Sequence, residues 1–402
     1  MGEIKSVEMK ITPKSEVEAR IAKLQEKLTE QKLDGTIILL NSDMFYFTGT
    51  VQTSYLYVPA AGEPVLMIKK SLKRGRNESP LTHIVPINNP KEIPGIIAPF
   101  GYQSFDKIGL ELDVLPVNLY KKYRKIFPNT EFIDISPAIK EIRAIKSPYE
   151  VGLLRDALRV IDKAHLAVPF LIREGMLEIE LAALFEAEMR KRGYSGCCKM
   201  RAFNQDLFLG NVCTGSNGVF PSFFDGPVGG PGVAVTHPHG AGWKEVNRNE
   251  VIYIDYTCVV HGYTGDQTRI FSIGELSPRM VKAFADALFI EAEIIKAIKP
   301  GTPAEEPYLL AVKLADEMGY KDNFMGMEDK VKFIGHGIGL ELDELPILAK
   351  GMKDPIVPGM TFALEPKFVF PEGAIGTESS FVMTENGPEY LSITPEVITC
   401  VE

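Results

Sequence analysis

Apolar residues recur at helical spacing from Ser15 to Lys32, at Val17, Ile21, Leu24 and Leu28, and the run closes near Asp34-Gly35. That spacing predicts an amphipathic helix. Thr36 to Leu40 follows as a short β-rich apolar run. Tyr55 to Val58 and Pro64 to Ile68 flank Gly62 and predict a hairpin, and Ile108 to Leu112 and Glu131 to Ile135 read as two further strands. Helical and strand periods alternate here, which predicts a compact α/β amino-terminal domain over residues 1–146.

At Ser147-Pro148-Tyr149-Glu150 the pattern changes. Ser147 can cap a helix, Pro148 suits its first position and Glu150 completes a capping box, so a second domain, 147–402, opens there. Its first helix is expected to run to about Ile172 and its second from Leu177 to Arg192, stopping at Gly193. The same opening grammar recurs at Ser277-Pro278, for a helix ending before Pro300-Gly301, and at Thr302-Pro303, for one closing at Gly319. Strand-like segments carrying Asp, His and Glu lie between and after these helices. Helices on a mostly antiparallel sheet, an α+β layout, are the expectation.

The 402 residues are 45% hydrophobic and 24% charged, which suits two globular domains with full cores. A net charge of −9 argues against nucleic acid, whose phosphates need clustered cations. The basic run from Lys69 to Arg74 is expected to be a solvated surface loop. Five cysteines follow no zinc spacing and leave one over from any pairing, so a reducing cytoplasm is the simplest account. No signal peptide or membrane-length apolar run is evident. Met1 to Ser6 fits a loose myristoylation pattern of a kind common by chance.

Chemistry concentrates late in the chain. Val251 to Ile254 reads as a buried strand ending on Asp255, and the chain turns near His261-Gly262 and returns through Asp266. A hairpin whose centre lies close to midway between Asp255 and Asp266 would set the two carboxylates opposite each other, which destabilises a sheet unless a cation lies between them. His336 stands among Gly335, Gly337 and Gly339, glycines that let backbone approach closely, and imidazole is a common metal ligand. Glu365 ends the apolar run Phe362-Ala363-Leu364, and Glu378 precedes Ser379 to Met383.

Taken in order, Asp255, Asp266, His336, Glu365 before Pro366, and Glu378 resemble the pita-bread metallopeptidases, the family of prolidase, aminopeptidase P and methionine aminopeptidase. Gly265-Asp266-Gln267-Thr268-Arg269 extends the likeness, and Leu33-Asp34-Gly35 and Tyr46-Phe47-Thr48-Gly49 resemble a creatinase-type amino-terminal domain. The resemblance implies a creatinase-like α/β domain followed by an α+β pita-bread catalytic domain. It also implies two divalent metal ions, Mn, Co, Fe or Zn, with Asp266 and Glu378 bridging, Asp255 on one side, and His336 and Glu365 on the other. Glu365 would move the proton of a water between the metals. Thr268 would orient a ligand. His239, in a Pro-His pair, would face the substrate, with His237 as a minor rival. A homodimer, in which the first domain narrows access, is implied too.

Three positions depart from that pattern. Asp343 stands where the peptidases carry a second histidine, although Glu344 and Pro346 of its motif remain. Gly376 replaces an arginine common two residues before the last ligand, and Lys367 replaces a glycine after Glu365-Pro366. Asp343 near dications should be ionised, accept but not donate hydrogen bonds, and favour a cationic or NH-rich group; as a residue without a catalytic role it would bond a loop or Lys367. The expected function is hydrolysis of an Xaa-Pro peptide or related amide bond. One alternative is a hydrolase or lyase of a small cationic or NH-rich substrate, and another is a binding protein that has lost catalysis on the same fold.

Overall fold

The computed structural model describes residues 9–103, 105–201, 203–204 and 210–402. The amino-terminal hexapeptide with the myristoylation pattern lies outside them. The chain divides into two compact units, Met9–Arg143 with Arg201–Phe203, and Ala144–Met200 with Asn204–Glu402. Among the described residues no helix is long and apolar enough to cross a membrane.

The smaller unit is built on a six-stranded mixed sheet of β1 (Gly35–Ile38), β2 (Ser54–Pro59), β3 (Val65–Ile68), β4 (His83–Pro86), β5 (Lys107–Leu110) and β6 (Glu131–Asp134). The strand order is β4-β3-β2-β1-β5-β6. β2 and β3 form the expected antiparallel hairpin, while β1, β5 and β6 run parallel, as an α/β layout requires. The first helix, Lys14–Glu30, buries Val17, Ile21, Leu24 and Leu28, the positions that spelled its period. The basic run is exposed but opens a helix, Leu72–Glu78, instead of lying in a loop. Ser71, in a left-handed conformation, turns the chain off β3 into that helix.

The larger unit carries two mostly antiparallel sheets. One holds β7 (Gly210–Thr214), β8 (Ile252–Val260), β9 (Tyr263–Ile273) and β17 (Ile398–Val401) in the order β17-β9-β8-β7. The other holds β10 (Phe333–Gly337), β11 (Glu344–Ala349), β12 (Thr361–Leu364), β15 (Ser379–Thr384) and β16 (Gly387–Tyr390) in the order β11-β10-β12-β15-β16. β13 (Lys367–Phe370) and β14 (Gly373–Gly376) make a separate hairpin. An isolated bridge between Thr268 and Glu378 joins β9 to the segment entering β15, so the two sheets meet at that pair.

Helix Pro148–Ala167 begins with the capping box that Ser147 and Glu150 announce. It ends at Ala167, short of Ile172, where Val168–Phe170 tightens into a 3-10 turn around a proline. Helix Pro278–Ala297 is capped by Ser277, whose hydroxyl accepts from the Met280 amide. The following helix is Glu306–Glu317, three residues later than Thr302-Pro303 suggests. The Thr302 hydroxyl instead accepts from the Lys299 amide, and Pro303 bridges to Pro355, so that pair shapes the connection and not the helix start. A core of Ile290, Ile294, Phe362, Phe368, Phe381 and neighbours lies between these helices and the sheets.

Asp162 ties the carboxyl-terminal segment to β9. Its buried carboxylate accepts from the Gln267 side chain, from the Thr394 amide and hydroxyl, and from the Ile393 amide. Replacing Asp162 with Ala strands these donors at once, so urea unfolding should show a loss on the order of 3 kcal/mol. A loss below about 0.5 kcal/mol, the level of an ordinary surface substitution, would remove Asp162 as the anchor of this segment.

Candidate metal centre

β8 and β9 are joined by His261-Gly262, both at positive φ (54° and 87°), the two-residue turn that matches strand twist. That turn sets the register. Asp255 pairs with Thr268, and Asp266 with Thr257. The two carboxylates therefore share a face but lie diagonally, two residues out of step, and not opposite each other as a turn centred midway would put them. The offset lengthens their separation and leaves room for a cation between them.

His336 comes from β10. Here the flanking glycines admit protein backbone, and no ligand is needed to explain them: a Cβ on Gly335 would lie 2.2 Å from the Ala363 carbonyl oxygen, and one on Gly337 would lie 2.3 Å from that of Leu345. His336 Nδ1 lies 3.2 Å from the Leu342 carbonyl oxygen and 3.3 Å from an Asp343 oxygen. A proton on Nδ1 is held there, which leaves the Nε2 lone pair directed at the acids. Nε2 is 3.7 Å from Asp266 Oδ2 and 3.8 Å from Glu365 Oε1. Ligand atoms of Asp266, His336 and Glu378 all fall within 4.8 Å of one another.

Neighbours hold the acids in place. Thr268 Oγ1 donates to Glu378 Oε2 at 2.8 Å, and the Tyr253 hydroxyl donates to Asp255 Oδ2 at 2.8 Å. The Arg269 guanidinium donates to the Glu378 carbonyl at 2.7 Å and to the Thr394 carbonyl at 2.7 Å, fixing the backbone on which Glu378 stands. Asp266 Oδ1 is buried and has no hydrogen-bond partner among the described residues.

Sequence reasoning noted Lys367 as a departure but did not place it. Its side chain, 1% exposed, puts Nζ 2.8 Å from Glu365 Oε2, 2.9 Å from Glu378 Oε2 and 3.2 Å from Asp255 Oδ2. The signal that could have found it is strand periodicity. Residues 365 and 367 are two apart along extended chain, so their side chains share a face.

Charge in the centre is unbalanced. Four carboxylates face one ammonium and one imidazole. Burial, with the charges of Glu378 and Asp255, pushes the Asp266 carboxyl well above its usual range. Burial likewise raises Glu378 to about 8, against the pull of Lys367 and with the push of Asp255 and Glu365. Burial works against the Lys367 ammonium, yet Asp255, Glu365 and Glu378 outweigh it and raise that group well above its ordinary value. His336 is raised too, burial being overcome by Asp343, Glu365 and Glu378. A buried cluster this acidic takes up either protons or a cation.

A cleft opens onto the centre, lined by Phe224, Val228, His239, Phe333 and Asp343 among others. His239 Nδ1 is 2.8 Å from the Ser222 hydroxyl, and its ring packs 5.3 Å from Phe224. Asp343, whose side chain is 42% exposed, has its closest charged neighbour in His336, not in Lys367. His237 is exposed and outside the cleft lining, with Nδ1 beside the Thr236 hydroxyl. Glu344 turns away to a buried ion pair with Lys146 at 3.0 Å.

The two halves of the centre differ in their fit to a divalent ion. On the imidazole side His336 Nε2 and oxygens of Asp266 and Glu378 converge as metal ligands do, and Asp266 Oδ1 has no hydrogen-bond partner among the described residues. On the Asp255 side the acids are already engaged by Lys367.

An acid and imidazole cluster where two antiparallel sheets meet, under a cleft, defines a metal-dependent hydrolase of the pita-bread class. The chain belongs to metallopeptidase family M24: residues 152–385 match that family's model, and residues 20–145 match the creatinase/prolidase amino-terminal domain. That family uses two divalent metal ions. The chain is 26% identical to an Xaa-Pro dipeptidase of Pyrococcus furiosus over 379 residues, 93% of this chain and 98% of the relative. Its fold superposes on an Xaa-Pro dipeptidase from Bacillus anthracis with a TM-score of 0.81 at 23% identity, covering 96% of this chain and 100% of the other. An X-Pro aminopeptidase from Thermotoga maritima gives 0.79 at 24%, covering 95% and 99%.

Burial lowers His239 to about 4, Asp255 opposing. Between that value and the ordinary one near 6.5 the unfolded chain holds a proton that the folded chain does not, so stability falls as pH drops through this window. His239→Asn should remove that part of the fall. Urea unfolding at pH 7 and pH 5 measures it, and an identical pH dependence in the variant would show that His239 titrates normally.

Proposed function

We propose that this protein hydrolyses an Xaa-Pro peptide bond or a closely related amide, using divalent metal bound within the cluster of Asp255, Asp266, His336, Glu365 and Glu378. The observation that carries the reading is the uncompensated charge: three carboxylates converge on one ammonium, a fourth, Asp266, stands outside its reach, and Asp266 Oδ1 has no hydrogen-bond partner among the described residues. The names of the relatives supply the bond type. Divalent metal in such a centre acidifies water and polarises a carbonyl. Glu365 takes the proton of the attacking water and passes it to the leaving nitrogen. His239 is neutral above about pH 4. With Ser222 bonded at Nδ1 it can present an Nε2 donor to a substrate carbonyl. Asp343 orients His336 through Nδ1 and offers its exposed oxygen to the cleft. A homodimer in the cytoplasm belongs to the same proposal, and five free thiols support the reducing compartment.

A second reading keeps the metal and changes the substrate to a small cationic or NH-rich molecule. What favours it is Asp343, a carboxylate on the cleft wall at a position where Xaa-Pro peptidases carry a histidine.

Protein stripped by chelator and reloaded with Mn, Co, Fe or Zn should turn over Xaa-Pro dipeptides only in the metal-loaded form. Asp266→Asn or His336→Ala should cut kcat/KM by about 10³-fold, the scale of losing a group that stabilises transition-state charge. Turnover unaffected by chelation would defeat the metal reading. Asp343→His should raise kcat/KM for Xaa-Pro dipeptides by about tenfold or more, the span of a 1.4 kcal/mol interaction. Unchanged dipeptide kinetics in that variant, with turnover of amine-bearing amides by wild type, would favour the second reading.

A further inference from the structure

Lys367 and Gly376, two of the three departures, are direct partners across the β13–β14 hairpin. Cross-strand partners project from the same face, so whatever stands at 376 lies beside the lysine stem. A Cβ on Gly376 would come within 2.7 Å of Lys367 Cα, 3.0 Å of its Cγ and 2.4 Å of the Pro366 carbonyl oxygen. Glycine at 376 leaves room for the Pro366 carbonyl and the Lys367 backbone, and it also spares the lysine Cγ a tight contact.

The result is a positive charge set among the acids. An ammonium has three N–H donors, and three carboxylates accept here: Glu365 at 2.8 Å, Glu378 at 2.9 Å and Asp255 at 3.2 Å. The Tyr253 ring lies 5.6 Å from the same Nζ, within range of a cation–π contact. Glu365 divides its oxygens, with Oε2 on Lys367 and Oε1 nearest the His336 Nε2. Asp266 is not bonded to the lysine: its Oδ2 lies 3.7 Å from the His336 Nε2, and its Oδ1 has no hydrogen-bond partner among the described residues.

We propose that the Lys367 ammonium takes the place of one of the family's two ions, so that this chain binds a single divalent ion, on the His336 side. The proposal rests on the metal-dependent reading above. A dication coordinated by Asp255 and Glu378 would have to come within about 2.2 Å of carboxylate oxygens, and those oxygens already carry the lysine's protons. Both cations would claim the same lone pairs and repel each other in a buried site. With the lysine in place, Asp255 holds Lys367 instead of a metal, and the remaining ligands are Asp266, His336, Glu365 and Glu378.

Metal content decides it without any assay of activity. Apoprotein saturated with Mn²⁺ and freed of excess by gel filtration should carry one ion per chain by elemental analysis, with the electron paramagnetic resonance spectrum of isolated Mn²⁺. Lys367→Gly should double that to two ions and add the exchange-coupled signal of a close pair. Lys367→Ala serves the same purpose should the glycine variant not fold. Two ions in the wild-type protein, or one ion in wild type and in both variants, would overturn the proposal while leaving the metallohydrolase reading intact. No bound metal in wild type or in any variant would overturn both.

Discussion

Four carboxylates brought together inside a protein constitute a debt that hydrogen bonds alone do not settle, and the catalytic unit is arranged around it. β8 and β9 carry Asp255 and Asp266, and Glu365 and Glu378 arrive from segments of the opposing sheet. Thr268, Tyr253 and Arg269 hold particular oxygens and particular stretches of backbone. Each of these supports would be superfluous around a neutral core. Like charges held this close persist only where positive charge lies between them, and the raised carboxyls of Asp266 and Glu378 express the same imbalance.

Local grammar made much of the architecture legible. The Ser147 to Glu150 capping box marks the entry to the larger unit, and the four apolar positions of the first helix are its buried face. The β8–β9 hairpin was readable from a β-rich run, a polar glycine turn and a second run. Its register was not, because the midpoint between two acids is not the centre of the turn. Asp255 and Asp266 are two residues out of step as a result. Thr302-Pro303 misled for a related reason: the capping alphabet also serves in connections, where the hydroxyl satisfies a different amide.

The site was legible as an inventory before it was legible as a geometry. Single acids and one histidine say little, while their order along the chain says a great deal. The identity of the residues around them was a poorer guide to what they touch. Gly335 and Gly337 beside His336 are explained by the backbone of neighbouring strands. Glu344, kept from the family motif, pairs with Lys146 away from the cleft. Lys367 could be recognised as foreign to the pattern, but its reach into the acids needs the hairpin that presents it, and its link to Gly376 needs the register of that hairpin.

That register makes the two positions unequal. A side chain at 376 would meet the Pro366 carbonyl oxygen at 2.4 Å and the Lys367 Cα at 2.7 Å, backbone atoms present whatever residue stands at 367, and the lysine Cγ only at 3.0 Å. Position 376 is therefore closed to larger residues for as long as the hairpin keeps this backbone, and filling it means parting β13 from β14. The lysine can be shortened with no such movement. Of the two neighbours, one can be edited by side chain alone and the other only by rebuilding the hairpin.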